Sequence, residues 1–523
     1  MKRPFGSPQF IKFMQQFPAE IRATGAAFFV CRFFSGGQRH ANLHHGLYVA
    51  RERANGILAM AKRFATDHTL KLVHLAVQIQ GAMGVTEELG FEQLWRDVHV
   101  LQVPDGTVGI LALIQAREIT GTPAFKWNNV ETSMRNVVIG GIGMTPFGKF
   151  INRSLKSLSE EAVRLALADA GVGPQDVERI FFGNAAAGVV TGQEMIRAQA
   201  SLRNTGLAGK PMFNIENACA SGSSALHLAW LSVASGQSDT ALVVGVEKLS
   251  HEDKAVSFGA FASGVDLDEP LPEGYQAGSG SIFMDLYASK ARKWMERTGA
   301  EVSDFARVVV KSRRAGALNP NAQFRIETSI DEVLGSRMVS DPLTLFMCSS
   351  IGDGGAALFV CSERYAASRS MRPVFIRASS IVTASVDGQS ALVAERAASA
   401  AYETSGVSPS DVHVVELHDA SAPAELIHYE NLGLCAPGDA AKLIRSGDTD
   451  IGGRISVNPS GGLLSRGHPV GATGVAQIVE LTHQLRGDAG PRQRPGARVA
   501  LAENNGGQLA GDSAVALVTI LTT

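Results

Sequence analysis

Hydrophobic positions change their spacing near residue 125. Before it they recur at helical intervals, as in Ile57, Leu58, Met60, Ala61 and Phe64, and again in Leu72, Val73, Leu75, Ala76 and Ile79. Steps of three and four residues put such side chains on one helix face, so residues 1–122 are expected to form an all-α helical bundle. Beyond Trp127-Asn128-Asn129 short β-branched runs alternate with helical stretches, starting at Val137-Val138-Ile139-Gly140-Gly141. Alternation of buried strands with helices predicts an α/β part built of mixed sheets covered by helices. The stretch opened by Gly121-Thr122-Pro123 reads as a linker over about residues 123–135.

The α/β part repeats itself. Ala170-Gly171-Val172-Gly173-Pro174-Gln175-Asp176-Val177 precedes the strand-like Arg179–Asn184, and Ser405-Gly406-Val407-Ser408-Pro409-Ser410-Asp411-Val412 precedes the strand-like His413–His418. A second pair follows in the same order, Gly352–Val360 against Gly511–Val518. Two similar halves are therefore expected, over about 136–370 and 371–523. The first copy is longer by roughly 75 residues, which fits a lid inserted around 250–345.

Composition narrows the functional classes. The 523 residues exceed one ordinary domain, and 45% hydrophobic with 19% charged residues describes a soluble globular chain. A formal net charge of −2 and no basic stripe make nucleic acid an unexpected partner. The five cysteines are odd in number and lack CxxC spacing, which argues against a disulfide framework or zinc cluster and for a reducing compartment. With no signal-like or membrane-spanning run, the expectation is a cytoplasmic protein.

Two segments about 250 residues apart carry candidate chemistry. Asn217-Ala218-Cys219-Ala220-Ser221-Gly222 leads into a helix-like run, so the exposed N–H groups and dipole of a helix start would favour the Cys219 thiolate. Asn458-Pro459-Ser460-Gly461-Gly462 leads to Arg466-Gly467-His468-Pro469, whose histidine could accept the thiol proton. A soft nucleophile that is also a good leaving group, with a base beside it, reads as an acyl-transfer site.

These segments, with Val415-Glu416-Leu417-His418-Asp419 and the stretch from Asp341-Pro342 to Gly352-Asp353-Gly354, resemble the thiolase superfamily over about residues 136–523, and within it the sterol-carrier-protein type. The resemblance implies a five-layered αβαβα core of two similar halves, usually dimeric, that thiolyses a 3-oxoacyl-CoA with CoA as co-substrate. It implies Cys219 as the acylated nucleophile, His468 as its base, and His418 as a polar partner of the thioester oxygen. It also implies backbone groups around Cys219, Gly506 and Gly507 as a second oxyanion hole, and Ser460 and Gly461 with these glycines as CoA-binding positions. One departure stands out. The family's second acid/base cysteine is missing, because Ala502-Glu503-Asn504-Asn505-Gly506-Gly507 holds none and Ala420 follows His418-Asp419. Cys348 and Cys435 are near motif segments but not at family positions. His227, His251, His428 and His483 have no motif context and read as packing or surface residues. Arg292, Lys293, Lys311, Arg313 and Arg314 read equally as CoA-phosphate contacts or solvated charge.

The front end resembles another family. Gln78-Ile79-Gln80-Gly81-Ala82-Met83-Gly84, Leu94-Trp95-Arg96-Asp97 and Pro104-Asp105-Gly106-Thr107 are similar to the C-terminal helical domain of acyl-CoA dehydrogenases, over about residues 2–121. That resemblance implies a flavin contact at the Gln78 turn. The family's other domains, which hold most of the FAD, have no counterpart here, so FAD is not expected on this segment alone, and Asp105 reads as a helix cap or surface residue. A remnant, a gene-boundary artefact and a docking module for a dehydrogenase partner all remain open. Two alternatives to a thiolase also stand: a non-catalytic acyl-CoA-binding scaffold, and a related carbon–carbon lyase or condensing enzyme.

Overall fold

A computed structural model describes residues 134–268, 281–385 and 391–523, with residues 70, 71, 73–75 and 78. The chain divides into two units, Met1–Ser133 and Met134–Thr523. In the first unit the six described residues are helical, and the exposed Gln78 places Nε2 3.1 Å from His74 Nε2. The expected helical bundle, the rest of the Gln78 turn, and Asp105 lie outside the described residues.

The second unit is built on ten strands: β1 (Val137–Met144), β2 (Arg179–Gly183), β3 (Met212–Ile215), β4 (Thr240–Glu247), β5 (Gly354–Ser362), β6 (Val374–Thr383), β7 (Val414–Glu416), β8 (Ser456–Val457), β9 (Val499–Gly506) and β10 (Val515–Thr522). Their order is β8-β7-β9-β10-β6-β1-β5-β4-β2-β3. Reading outward from the centre, β1-β5-β4-β2-β3 is matched by β6-β10-β9-β7-β8, so each half repeats the other's topology. The halves join where β1 and β6 pair antiparallel, from Val137 opposite Ile376 to Ile139 opposite Val374. In both halves the two outermost pairings are parallel and the inner ones antiparallel.

The seven longest described helices pack around these strands: α1 (Leu155–Ala170), α2 (Ser221–Ala234), α3 (Ile282–Thr298), α4 (Val302–Ala317), α5 (Val393–Ser405), α6 (Ala422–Asn431) and α7 (Thr473–Arg486). Three large hydrophobic cores hold the layers together. One packs α1 against β1, β2, β4 and β5. The middle core holds α2 and α7 between the two halves, through Leu226, Ala229, Trp230, Val475 and Ile478. The third packs α3 to α6 on the second half. The insertion expected as a lid thus supplies α3 and α4, whose Ala288, Ala291, Phe305 and Val309 are core residues, while the loop Ala277–Gly280 lies outside the described residues. No described helix is long and apolar enough to cross a membrane.

Small residues explain why α2 and α7 fit between the halves. A Cβ on Gly474 would sit 2.0 Å from Ser223 Oγ, and one on Gly222 would sit 2.7 Å from the Gly471 carbonyl. Real side chains do not approach so closely, so these glycines let the two helix starts pack backbone against backbone.

Candidate active site

Cys219 follows β3 in a tight turn at the start of α2. Ala218 takes φ 47, a left-handed conformation that costs a residue with a Cβ about 1–3 kcal/mol. The turn is tied down by the serines that follow it. Ser221 Oγ accepts from Asn217 N (2.9 Å) and donates to the Ala218 carbonyl (2.7 Å), and Asn217 Nδ2 donates to Ser224 Oγ (2.8 Å). The end of β9 presses on the same turn, where a Cβ on Gly506 would fall 2.1 Å from the Asn217 carbonyl oxygen. Only glycine fits there, and the next residue, Gly507, has φ 63.

The thiol is buried, and burial together with the Glu247 and Glu216 carboxylates pushes its pKa up to about 12. The N–H groups of Cys219 and Gly507 act in the opposite direction, favouring negative charge on sulfur. This corrects the expectation of a resting thiolate. A helix start alone does not outweigh desolvation and two carboxylates, so the resting group is a thiol and needs a base.

His468 stands after Gly467, whose φ of 107 turns the chain. Its Nδ1 is 2.7 Å from Thr473 Oγ1, and that hydroxyl donates to the Pro469 carbonyl at 3.1 Å. A hydroxyl spends its one proton on one acceptor, so it accepts from Nδ1–H and leaves His468 Nε2 as the bare, basic nitrogen. Burial, then His418 and Arg466, hold the ring well below its usual pKa, hence neutral. His418, just past β7, has its ring edge-on to His468 with centroids 5.2 Å apart. Burial and His428 lower its pKa to about 3, and its Nε2 has no partner among the described residues. One reactive atom from each of Cys219, His418 and His468 lies within 4.8 Å of the others.

Beside them opens a cavity of about 330 Å³, lined by Cys219 and His418 and by Gly506 and Gly507. Ser460 and Gly461 are placed differently. Ser460 is fully buried, donating to Glu416 Oε2 (2.7 Å) and accepting from Arg466 Nη1 (3.1 Å), while Gly461 packs on Gly316. Neither lines the cavity. Asp419 is bonded to that same turn: its carboxylate accepts the Leu463 N–H at 2.7 Å, and a Cβ on Gly462 would fall 2.2 Å from its Oδ2. It therefore holds the turn that leads to His468.

Several residues without motif context matter here. His428 on α6 is buried, as a packing residue would be, and it also lines the cavity. Lys290, Lys293 and Arg297, on one face of α3, line it too. Of the cations singled out in the sequence, only Lys293 does so. Lys311 pairs with Glu425 in the core, Arg313 stacks over Phe324, Arg314 pairs with Asp450, and Arg292 donates to the Asp341 carbonyl. The i, i+3, i+7 spacing of Lys290, Lys293 and Arg297 was a readable signal. Cys348 and Cys435 are absent from the cavity lining.

Residues 137–364 match the family described as "Thiolase, N-terminal domain" and residues 379–519 match "Thiolase C-terminal domain-like". Residues 42–120 match "Acyl-CoA dehydrogenase, C-terminal domain". Sterol carrier protein 2 of Bos taurus is 38% identical over 391 residues, covering 72% of this chain and 71% of its own length. Benzoylsuccinyl-CoA thiolase subunit BbsB of Thauera aromatica is 37% identical over 384 residues (71% of this chain, 95% of that one). Acetyl-CoA acetyltransferase of Methanothermobacter thermautotrophicus is 36% identical over 384 residues (72% and 97%). Among solved structures, an Ltp2-ChsH2(DUF35) aldolase superposes with TM-score 0.59 at 26% identity, covering 73% of this chain and 97% of that one. Human mitochondrial 3-ketoacyl-CoA thiolase in complex with CoA gives 0.56 at 19% identity (75% and 98%), a likeness of fold.

Proposed function

The chain belongs to the thiolase family of acyltransferases, and on that premise we propose that it cleaves a 3-oxoacyl-CoA by passing the acyl group through Cys219 to CoA. The approach of Cys219, His418 and His468 within 4.8 Å beside an acyl-sized cavity carries the reading. As the Cys219 sulfur attacks the C3 carbonyl, its proton passes to the bare Nε2 of His468. His418 supplies a polar nitrogen for one developing oxyanion. The Cys219 and Gly507 N–H groups, already directed at the sulfur, serve the other.

The substrate in this reading is a bulky 3-oxoacyl-CoA from degradation of a lipid or steroid side chain in the cytoplasm. Trp294, Leu392 and Ile427 offer an apolar wall for such a chain, and Lys293 and Arg297 offer charge for CoA phosphates. A homodimer is part of the proposal: among the described residues β3 ends the sheet with one edge unpaired, and Phe213 on it is exposed. The dehydrogenase-like front segment is assigned a docking role toward an acyl-CoA dehydrogenase, with no flavin chemistry of its own. CoA-dependent cleavage of acetoacetyl-CoA and longer 3-oxoacyl-CoAs tests the central step. Cys219→Ala is expected to lower it at least about a thousandfold; cleavage at the wild-type rate by that variant would overturn the reading.

A further inference from the structure

Breaking the C2–C3 bond of a 3-oxoacyl-CoA leaves an electron pair on C2, and that carbon must receive a proton. The nearby groups are already occupied. Cys219 gives its proton to His468, and His418 faces the thioester oxygen. Another group at the cavity must act on C2.

The cavity offers few side chains able to do so. Burial and the neighbouring Cys219 raise the Tyr287 pKa, which makes its phenol a poor donor. Lys290 Nζ is bonded to Gln508 Oε1 at 2.8 Å. His428, from α6, is different. Its Nε2 is 3.2 Å from Asn505 Nδ2 and 4.0 Å from Glu503 Oε2, both on β9, and its Nδ1 is 3.4 Å from Asn431 Nδ2. The shorter amide contact sets the tautomer: Asn505 donates to Nε2, the ring proton sits on Nδ1, and the Asn431 amide turns so that its oxygen rather than its nitrogen accepts that proton. Glu503 is fully buried. Its Oε2 accepts the His418 N–H at 2.9 Å, and its Oε1 has no partner among the described residues.

Resting on the thiolase reading above, we propose that His428, backed by the Glu503 carboxyl group, is the acid/base that exchanges a proton with C2 of the acyl-CoA. Burial raises the Glu503 pKa to about 8, and burial with Lys290 lowers that of His428 to about 3, so the resting pair is a carboxylic acid beside a neutral imidazole. In cleavage the C2–C3 electron pair stays on C2 as the thioester enolate. Released by Asn505, His428 Nε2 takes the Glu503 proton and passes that same proton to C2, and Glu503 is left as a carboxylate. Incoming CoA loses its thiol proton to water as its sulfur takes the acyl group, and the Glu503 carboxylate regains one proton from water. The departing Cys219 thiolate recovers its proton from His468. Two protons leave and two return.

The test separates acyl loading from C2 chemistry. Wild-type, His428→Gln and Glu503→Gln proteins are mixed with acetyl-CoA, Cys219 acylation is read by intact mass, and deuterium uptake at the acetyl methyl group is followed in D2O. The wild type is expected to do both. His428→Gln should exchange about 100-fold more slowly while loading Cys219 within about threefold of wild type. Glu503→Gln keeps a carbonyl for the His418 N–H and loses only the acidic proton, so it should slow exchange about tenfold or more with loading intact. Exchange within threefold of wild type in either variant overturns the proposal, as does parallel loss of loading and exchange in both. Wild-type protein that loads without exchanging overturns it alone; wild-type protein that never loads overturns the thiolase reading beneath it.

Discussion

At the scale of single residues, the site depends on a few hydrogen bonds that fix protonation states. The Thr473 hydroxyl sets which nitrogen of His468 is basic. Thr473→Val preserves shape and removes that bond, so kcat for thiolysis should fall about tenfold with little change in melting temperature; an unchanged kcat would remove Thr473 from the account. Cys219, His418 and His468 were legible because each stands in a segment with strong local punctuation: a small-residue helix start, a strand end, and a Gly-His-Pro turn. His428 was not. It is one turn of an ordinary helix, and only the fold brings α6 against β9 at the cavity. Nor could the sequence show the resting state of Cys219, because Glu247 approaches the thiol from another strand end. The missing second cysteine was legible, but its replacement depends on neighbours 75 residues apart in the chain, Glu503 and His428.

Among elements, the central feature is the contact of α2 with α7. Gly222 and Gly474 bring two helix starts together so that Cys219 and His468 meet. Gly474→Ala therefore belongs with packing faults: its Cβ would fall 2.0 Å from Ser223 Oγ and 2.7 Å from Ser223 N. We expect a loss of about 1–3 kcal/mol in chemical denaturation, together with slower Cys219 acylation. A variant with wild-type stability would show that the helices can separate without cost. The strand repeat was readable because Pro174-Gln175-Asp176 and Pro409-Ser410-Asp411 each form a short turn before a parallel strand, β2 and β7. Packing of α3 and α4 into the second half's core was not readable, because amphipathic periodicity says that a face is buried without saying against what.

For the whole molecule, the buried charges make stability depend on pH. Glu503 has its pKa raised from 4.5 to about 8 by burial. Below the unfolded value both states are protonated and its burial carries no charge penalty. As pH rises toward 8 the unfolded chain ionises first, so the stabilising contribution of the neutral group is lost across that window. Glu503→Gln cannot ionise. Its melting temperature relative to wild type should therefore rise by at least about 2 °C between pH 5 and pH 8.5; a constant difference would show that Glu503 is ionised when folded. The mirrored strand order places the two reactive turns at the junction of the halves, which is why segments some 250 residues apart form one site. The αβαβα core of two halves was legible from the repeated motifs and the family resemblance. The order of strands within each half was not, because parallel pairing leaves no local mark in the chain.

The function proposed for this chain requires that Cys219 take up an acyl group. Intact-mass measurement after mixing the protein with acetyl-CoA or a 3-oxoacyl-CoA, beside Cys219→Ala and a thiolase known to load as control, asks this directly. The account predicts one added acyl mass on the wild type, none on the variant, and release of the adduct by CoA. An unmodified wild type under conditions that load the control, or an adduct that persists in Cys219→Ala, would contradict it.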